Sequence, residues 1–267
     1  MAYIDDRIRL IETVPDNFID TVDGLREGLI RELTRLIAGF DTIDGRLVSN
    51  TQNLARIEQI IDALGNYLFE PESEYLQALS NFIAGIGESA ILTNEFLGIK
   101  SNPLYQQILK QNQFNAIKLF DKTAIDVQLS NTIRSQITAS IAEGGRVADT
   151  IDFLRNFIGG SEVNKPALTR YVKTQALTAY GTADASYLVA VGLGEGIQRW
   201  LYAGGLVKDS RPFCEARVGR EFTTAEVLKW PEEEGYQWDG MIAGTNASNI
   251  FTVRGGWNCR HVLAPVT

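Results

Sequence analysis

A chain of 267 residues, 45% hydrophobic and 22% charged, can build a sizeable core as one large domain or two small ones, and is too apolar for wholesale disorder. Its net charge of −8 is unevenly placed: residues 1–160 hold 22 acids and 14 bases, whereas residues 161–267 hold 11 of each. No lysine precedes Lys100 and no base lies between Arg56 and Lys100, which excludes residues 1–160 as a generic DNA-coating surface, because that role needs clustered cations to neutralise phosphates.

Residues 4–69 show apolar side chains at helical spacing. Val22, Leu25, Leu29, Leu33, Leu36, Ile37 and Phe40 fall on one helix face, with Arg26, Arg31, Arg35, Glu27 and Glu32 on the other. Leu54, Ile57, Ile61, Leu64 and Leu68 repeat the pattern and stop before Pro71. Between the two runs, residues 41–46 are polar and contain Gly45, so a connection between helices is expected there. The pair reads as a long helical hairpin or coiled-coil-like arm, or as part of a plain bundle. Gly24, Gly28 and Gly39 weaken a long free-standing coil.

A third helix is expected over 73–96. Residues 78–99 come nearest to a membrane span, but Ser80, Asn81, Glu88, Thr93, Asn94 and Glu95 interrupt them, so a buried or interface helix and no span are expected. Ser101-Asn-Pro103 breaks the chain. Helical spacing resumes over 104–120 and 127–141, is punctuated by Gly144 and Gly145, and returns over 148–158. Residues 159–166, Gly-Gly-Ser-Glu-Val-Asn-Lys-Pro, collect turn formers and end in a Pro at a helix start. They mark the expected boundary between a helical docking region, 1–160, and a compact α+β domain, 161–267.

Beyond Pro166 an Ala-rich helix is expected over 169–191, stopped by Gly192, Gly194 and Gly196. Residues 197–202 alternate as a strand, with Ile197, Arg199 and Leu201 on one side and Gln198, Trp200 and Tyr202 on the other. The expected fold class is therefore α+β: an elongated, mainly α-helical N-terminal region followed by a small C-terminal α+β domain.

The only two cysteines and the only histidine fall into two short clusters 45 positions apart. One is Asp209-Ser-Arg-Pro-Phe-Cys214, followed by Gly219-Arg-Glu-Phe222; the other is Gly255-Gly-Trp-Asn-Cys-Arg-His261. They are expected to meet as two ends of one folded unit. The start of the chain lacks a basic segment followed by an apolar run, so no secretory signal is expected, and two cysteines are too few for a disulfide framework. Buried inert packing, or a late disulfide, is the plain expectation for these thiols.

Zinc wants four tetrahedral ligands; Cys214, Cys259 and His261 supply three, with Asp209 or Glu215 as a fourth. No two cysteines are spaced as a chelating pair, and Cys259-x-His261 alone is expected to chelate poorly, on the reading that an extended strand sends these two side chains to opposite faces. The expectation is no cofactor, with zinc on Cys214, Cys259 and His261 as the alternative. Thiol catalysis would need Cys214 to meet His261, and no oxyanion hole or pocket accompanies them, so no catalytic residue is assigned. Asp209 suits an Asx turn and Gly219 a tight bend. Thr223-Thr-Ala-Glu226 resembles a capping box opening a short helix through Leu228. Gly255-Gly256 would turn the chain into a closing strand over 259–263.

Five pieces follow in order: Arg170-Tyr-Val-Lys-Thr-Gln-Ala176 on the Ala-rich helix, Arg199-Trp-Leu-Tyr202, Asp209-Ser-Arg-Pro-Phe-Cys214, Arg220-Glu-Phe222 and Asn258-Cys-Arg-His261 with a trailing Leu-Ala-Pro-Val266. Together they resemble the C-terminal domain of tailed-phage minor head proteins, the head-morphogenesis family of phage Mu and SPP1, over about residues 166–267. The motif core is Arg170, Trp200, Asp209, Arg211, Cys214, Asn258, Cys259, Arg260 and His261. His261 stands where that family usually has a last cysteine, and the first cluster holds one cysteine rather than two; both departures count against zinc.

The resemblance implies a non-catalytic virion protein, made in the host cytoplasm, that binds the portal protein, the major capsid protein or other head proteins during assembly and is a candidate to leave with the genome. An acidic helical region suits such docking, or self-association through its helices, and repels packaged DNA. The family fold has also been likened to ADP-ribosyltransferases. An effector of that type is one alternative, with Glu232, Glu233 and Glu234 weighed as its catalytic glutamate, although they read more simply as a solvated acidic turn. A zinc-stabilised interaction module is the other.

Overall fold

The computed structural model describes residues 2–100, 102–160, 166–233 and 237–266. The chain is mainly helical and its C-terminal stretch carries a small sheet, as the α+β expectation has it. Among the described residues no helix is long and apolar enough to cross a membrane.

Contacts divide the chain into two compact units. A helical unit consists of Asn17–Ser80 and Lys118–Lys173; a sheet unit consists of Met1–Asp16, Asn81–Ile117 and Thr174–Thr267. This differs from the expected division at residue 160, whose residues 161–165 lie outside the described residues, as does Ser101 of the expected break before Pro103. The C-terminal stretch shares its unit with two earlier helical segments because the long helix that opens it bonds to them. Asp184 pairs with Arg7, Tyr180 donates to the carbonyl of Gly85 at 3.0 Å, and Asn112 donates to the carbonyl of Ala183 at 3.1 Å.

In the helical unit, α2 (Arg26–Ile37) and α3 (Thr51–Phe69) bury most of the faces that their spacing marks, although Leu54, in the first turn of α3, is exposed. Leu29, Leu33 and Ile37 are fully buried on α2, and Ile57, Leu64 and Leu68 are buried on α3. Each such side chain contributes about 1.5–3 kcal/mol of hydrophobic stabilisation. Two further helices, α7 (Asn131–Ala142) and α8 (Val147–Gly159), close the core, with α7 against α3 and α8 against α2. Ile133, Ile137 and Ile141 recur every four residues on α7, and all are fully buried.

The expected connection over 41–46 is more ordered than a plain loop. It is a hairpin of β1 (Thr42–Ile43) and β2 (Arg46–Leu47). Asp44 and Gly45 have φ of 51° and 74°, the paired positive values of a type I′ turn. Asn50 then caps α3 by accepting from the Asn53 backbone N–H at 2.7 Å. Buried Asn53 accepts from the Asp41 backbone N–H at 2.8 Å and donates to the carbonyls of Asp41 and Val48. The expected helix over 127–141 follows a one-turn helix, α6 (Lys122–Ile125), and opens with a π-helical turn, Asp126–Ser130, in which the Ser130 hydroxyl bonds to Asp126 at 2.9 Å.

The sheet unit contains parts of α1 (Ala2–Gly24), α4 (Glu74–Phe96), α5 (Pro103–Phe120) and α9 (Ala167–Gly194). Arg7 of α1 is wholly buried and bonds to Thr93 and Asp184 and to the Ser89 carbonyl. After α9 comes β3 (Arg199–Ala203), the centre of an antiparallel sheet in the order β4-β3-β5, where β4 is Glu221–Thr223 and β5 is Val262–Pro265. Trp200 faces Phe222 on one side and Pro265 on the other. The expected alternation holds, with Trp200 and Tyr202 buried and Arg199 exposed.

Thr223 and Glu226 form the expected capping box. The Glu226 carboxylate accepts from the Thr223 N–H at 2.7 Å, and the Thr223 hydroxyl accepts from the Glu226 N–H at 3.2 Å. The helix they open, Thr224–Glu233, runs past Leu228. Aromatic rings fill the core beneath the sheet, with Trp200 edge-on to Phe251 at 5.2 Å and Phe222 edge-on to Trp230 at 4.9 Å. The closing strand is Val262–Pro265 rather than 259–263. The chain is still turning at Cys259, whose N–H donates to the Gly256 carbonyl, and Asn258 has φ of 58°.

Candidate functional site

The two clusters meet in the sheet unit, and Arg211 ties them together. Its guanidinium donates to the carbonyls of Gly255 at 3.1 Å and Trp257 at 2.6 Å. Pro212 then opens a one-turn helix, Pro212–Glu215, that turns Phe213 and Cys214 inward. The opposing turn depends on its two glycines. A Cβ at Gly255 would lie 2.7 Å from Cys214 Sγ and 3.0 Å from Cys259 Sγ. At Gly256, with φ of +96°, it would lie 1.9 Å from the Gly240 carbonyl oxygen. Backbone and thiols approach this closely only where no side chain intervenes.

Donor atoms from Cys214, Cys259 and His261 all lie within 4.8 Å of one another, and all three residues are buried. Both thiols are free. The Tyr202 hydroxyl donates to Cys214 Sγ at 3.4 Å and lies 3.7 Å from Cys259 Sγ. The Tyr202 ring stacks on the His261 ring at 5.1 Å. His261 Nδ1 sits 3.8 Å from Cys259 Sγ, while its buried Nε2 has no hydrogen-bond partner among the described residues.

The two thiols are electrostatically unequal. The hydrogen bond from Cys214, the contact with His261 and the positive charge of Arg254 outweigh burial and hold the Cys259 thiol well below its usual range. The same shared hydrogen bond, with burial, pushes the Cys214 thiol up. Burial, and then the neighbouring sulfurs, push up the Tyr202 phenol.

Of the residues singled out from the sequence, Cys214, Cys259 and His261 come together. Asp209 and Glu215, each weighed as a fourth ligand, are exposed and outside the group. The opposite-face argument against Cys259-x-His261 fails: positions two apart on a strand share a face, here the chain leaves a turn before the strand begins, and Cys259 Sγ and His261 Nδ1 lie 3.8 Å apart. The turn before Cys214 is closed by Ser210, whose hydroxyl accepts from the Val207 N–H at 2.8 Å, rather than by Asp209.

Trp200 is buried and donates from Nε1 to Thr224 at 3.0 Å. Arg260 forms a two-pronged ion pair with Asp16 at 2.9 and 3.0 Å. Asn258 is exposed, and its N–H donates to Thr178. Arg170 is exposed on α9 and belongs to the helical unit. Glu232 and Glu233 are exposed at the end of their helix, and Glu234 lies outside the described residues.

Sequence reasoning placed Tyr202, Arg254 and Gly255 in or near the clusters but gave none of them a role beside the thiols. Tyr202 was legible as an inward strand position, and Gly255 as half of a Gly-Gly pair. Arg254 is buried and donates to the Gly181 carbonyl at 2.8 Å, for which the sequence carries no local signal. Two sulfurs and an imidazole, with no carboxylate among them, are donors suited to zinc-like ions and unsuited to calcium or magnesium. No family model, curated protein or solved structure matches the chain.

Proposed function

We propose that the chain is a structural protein of a tailed-bacteriophage head, docking on the portal or the inner capsid during head assembly without catalysis of its own. What supports this reading is the ordered motif set from Arg170 to His261, through its resemblance to the minor-head-protein pattern. Apart from Arg170, the motif core lies in one compact unit, and much of it is spent on internal ties: Arg211 to the second cluster, Trp200 to Thr224, Arg260 to Asp16. Motif residues used to hold a module together, rather than lining an open cleft, suit an assembly role. The acidic balance of residues 1–160 supports docking on protein and disfavours adhesion to packaged DNA.

The test is the protein content of purified heads. The chain is expected in mature heads or on portal rings isolated from particle-producing cells, and a tagged copy is expected to retain portal protein through purification. Heads that lack the chain at every stage, together with no retention of portal or capsid protein, would overturn the reading.

A further inference from the structure

We propose that Cys214, Cys259 and His261 form a binding site for a single divalent ion of the zinc class, which clamps the Asp-Ser-Arg-Pro-Phe-Cys214 turn to the turn that precedes β5. The three donors come from segments 45 residues apart and converge within 4.8 Å. Zinc–sulfur and zinc–nitrogen bonds of about 2.3 and 2.0–2.1 Å put neighbouring corners of a tetrahedron roughly 3.3–3.8 Å apart. The Cys259 Sγ to His261 Nδ1 separation, 3.8 Å, is already close to such an edge. Small side-chain rotations therefore suffice to close the set around an ion.

Ordinary core packing explains the histidine poorly. A buried imidazole held for its hydrogen bonds satisfies both nitrogens. Here, among the described residues, Nε2 has no partner and Nδ1 has only a sulfur at 3.8 Å. Coordination gives Nδ1 a strong bond in place of a weak one. The Tyr202 hydroxyl, donating to Cys214 Sγ at 3.4 Å, supplies the outer contact that steadies a ligand sulfur. Gly255 keeps the space between the two thiols open, since a Cβ there would press on both. Three protein ligands leave one position, which a water fills.

The proposal does not depend on where the chain works, so a negative result in phage heads leaves it standing, and the reverse also holds. The full-length chain, reduced and stripped of metal by a chelator, is titrated with cobalt(II) as the spectroscopic probe. The expected result is saturation at a single ion per chain, with the visible bands of tetrahedral cobalt and a thiolate-to-cobalt charge-transfer band, all erased by added zinc. Cys214→Ser and Cys259→Ser should each lose the saturable binding, and His261→Gln should weaken it at least tenfold. In the unmodified chain, zinc should raise the thermal unfolding midpoint. An unmodified chain with no thiolate-to-cobalt band, or one whose unfolding midpoint zinc leaves unmoved, overturns the proposal however the serine variants fold. Bands that persist in both serine variants overturn it as well.

Discussion

The two compact units bury different chemistry. Among the described residues, the buried ionisable side chains outside the tyrosines and cysteines are Arg7, Asp184, Arg217, Arg254 and His261, and all belong to the sheet unit. The polar side chains buried in the helical unit, Asn53, Ser130 and Thr150, are neutral. Aliphatic burial is non-directional and tolerates small shifts, so the helical unit is specified mainly by spacing and volume. Buried charges, thiols and imidazole need the right partner at the right distance, and each error leaves a desolvated group. The lesson is that the unit holding the candidate site is also the one whose fold is pinned by specific pairs.

The largest effect expected from this contrast is at Arg7 and Asp184, a pair with both side chains essentially shielded from solvent. Arg7→Met strands Asp184 and should cost about 3–5 kcal/mol in chemical unfolding, whereas the double change Arg7→Met with Asp184→Leu should cost much less. A double variant no better than the single one would break the comparison. Next comes Ile137→Ala in the helical unit, expected to cost about 2–5 kcal/mol, with Ile137→Val costing about 0.5–1.5 kcal/mol. That graded response to volume alone is what an aliphatic interior should give.

Gly255→Ala sharpens the contrast within the site. The added methyl meets both sulfurs and should cost about 1–3 kcal/mol while speeding alkylation of Cys214 and Cys259. Unchanged thiol reactivity would mean that the glycine does not control the approach of the two sulfurs.

The smallest expected effect is at Glu226, whose carboxyl is held below its usual range, first by the Thr223 N–H and then by the Thr223 hydroxyl. A carboxyl lowered in the folded state adds stability that is present above its unfolded value, about 4.3, and is lost as the pH falls through the folded value. A slight drop in the unfolding midpoint is expected across that acid window for the native chain. Glu226→Gln should start lower at neutral pH and lack that increment of acid sensitivity.

Much of the helical unit was legible because periodicity is local. The run from Leu54 to Leu68 marks α3, and the stop before Pro71 falls within two residues of its end at Phe69. The Thr223–Glu226 box and the inward pair Trp200 and Tyr202 were legible for the same reason. The hairpin at 42–47 was missed although Asp44-Gly45 is a strong turn signal, because the strands are only two residues long and offer no alternation. The π-helical turn at Asp126–Ser130 leaves no mark in a helical pattern. The Arg7–Asp184 pair joins residues 177 positions apart, and a lone charge on an amphipathic helix reads as solvated. At the site, rarity singled out Cys214, Cys259 and His261, but their common direction depended on a turn whose end the pattern misplaced.

Everything inferred about the sheet unit turns on whether the two glycine-flanked clusters face each other inside one folded chain. The direct measurement is mild oxidation of the folded, metal-free, full-length chain followed by peptide mapping. A disulfide joining Cys214 to Cys259 within the same chain is the expected result. Recovery of both cysteines reduced from a chain that stayed folded, or linkage only between separate chains, would contradict the account.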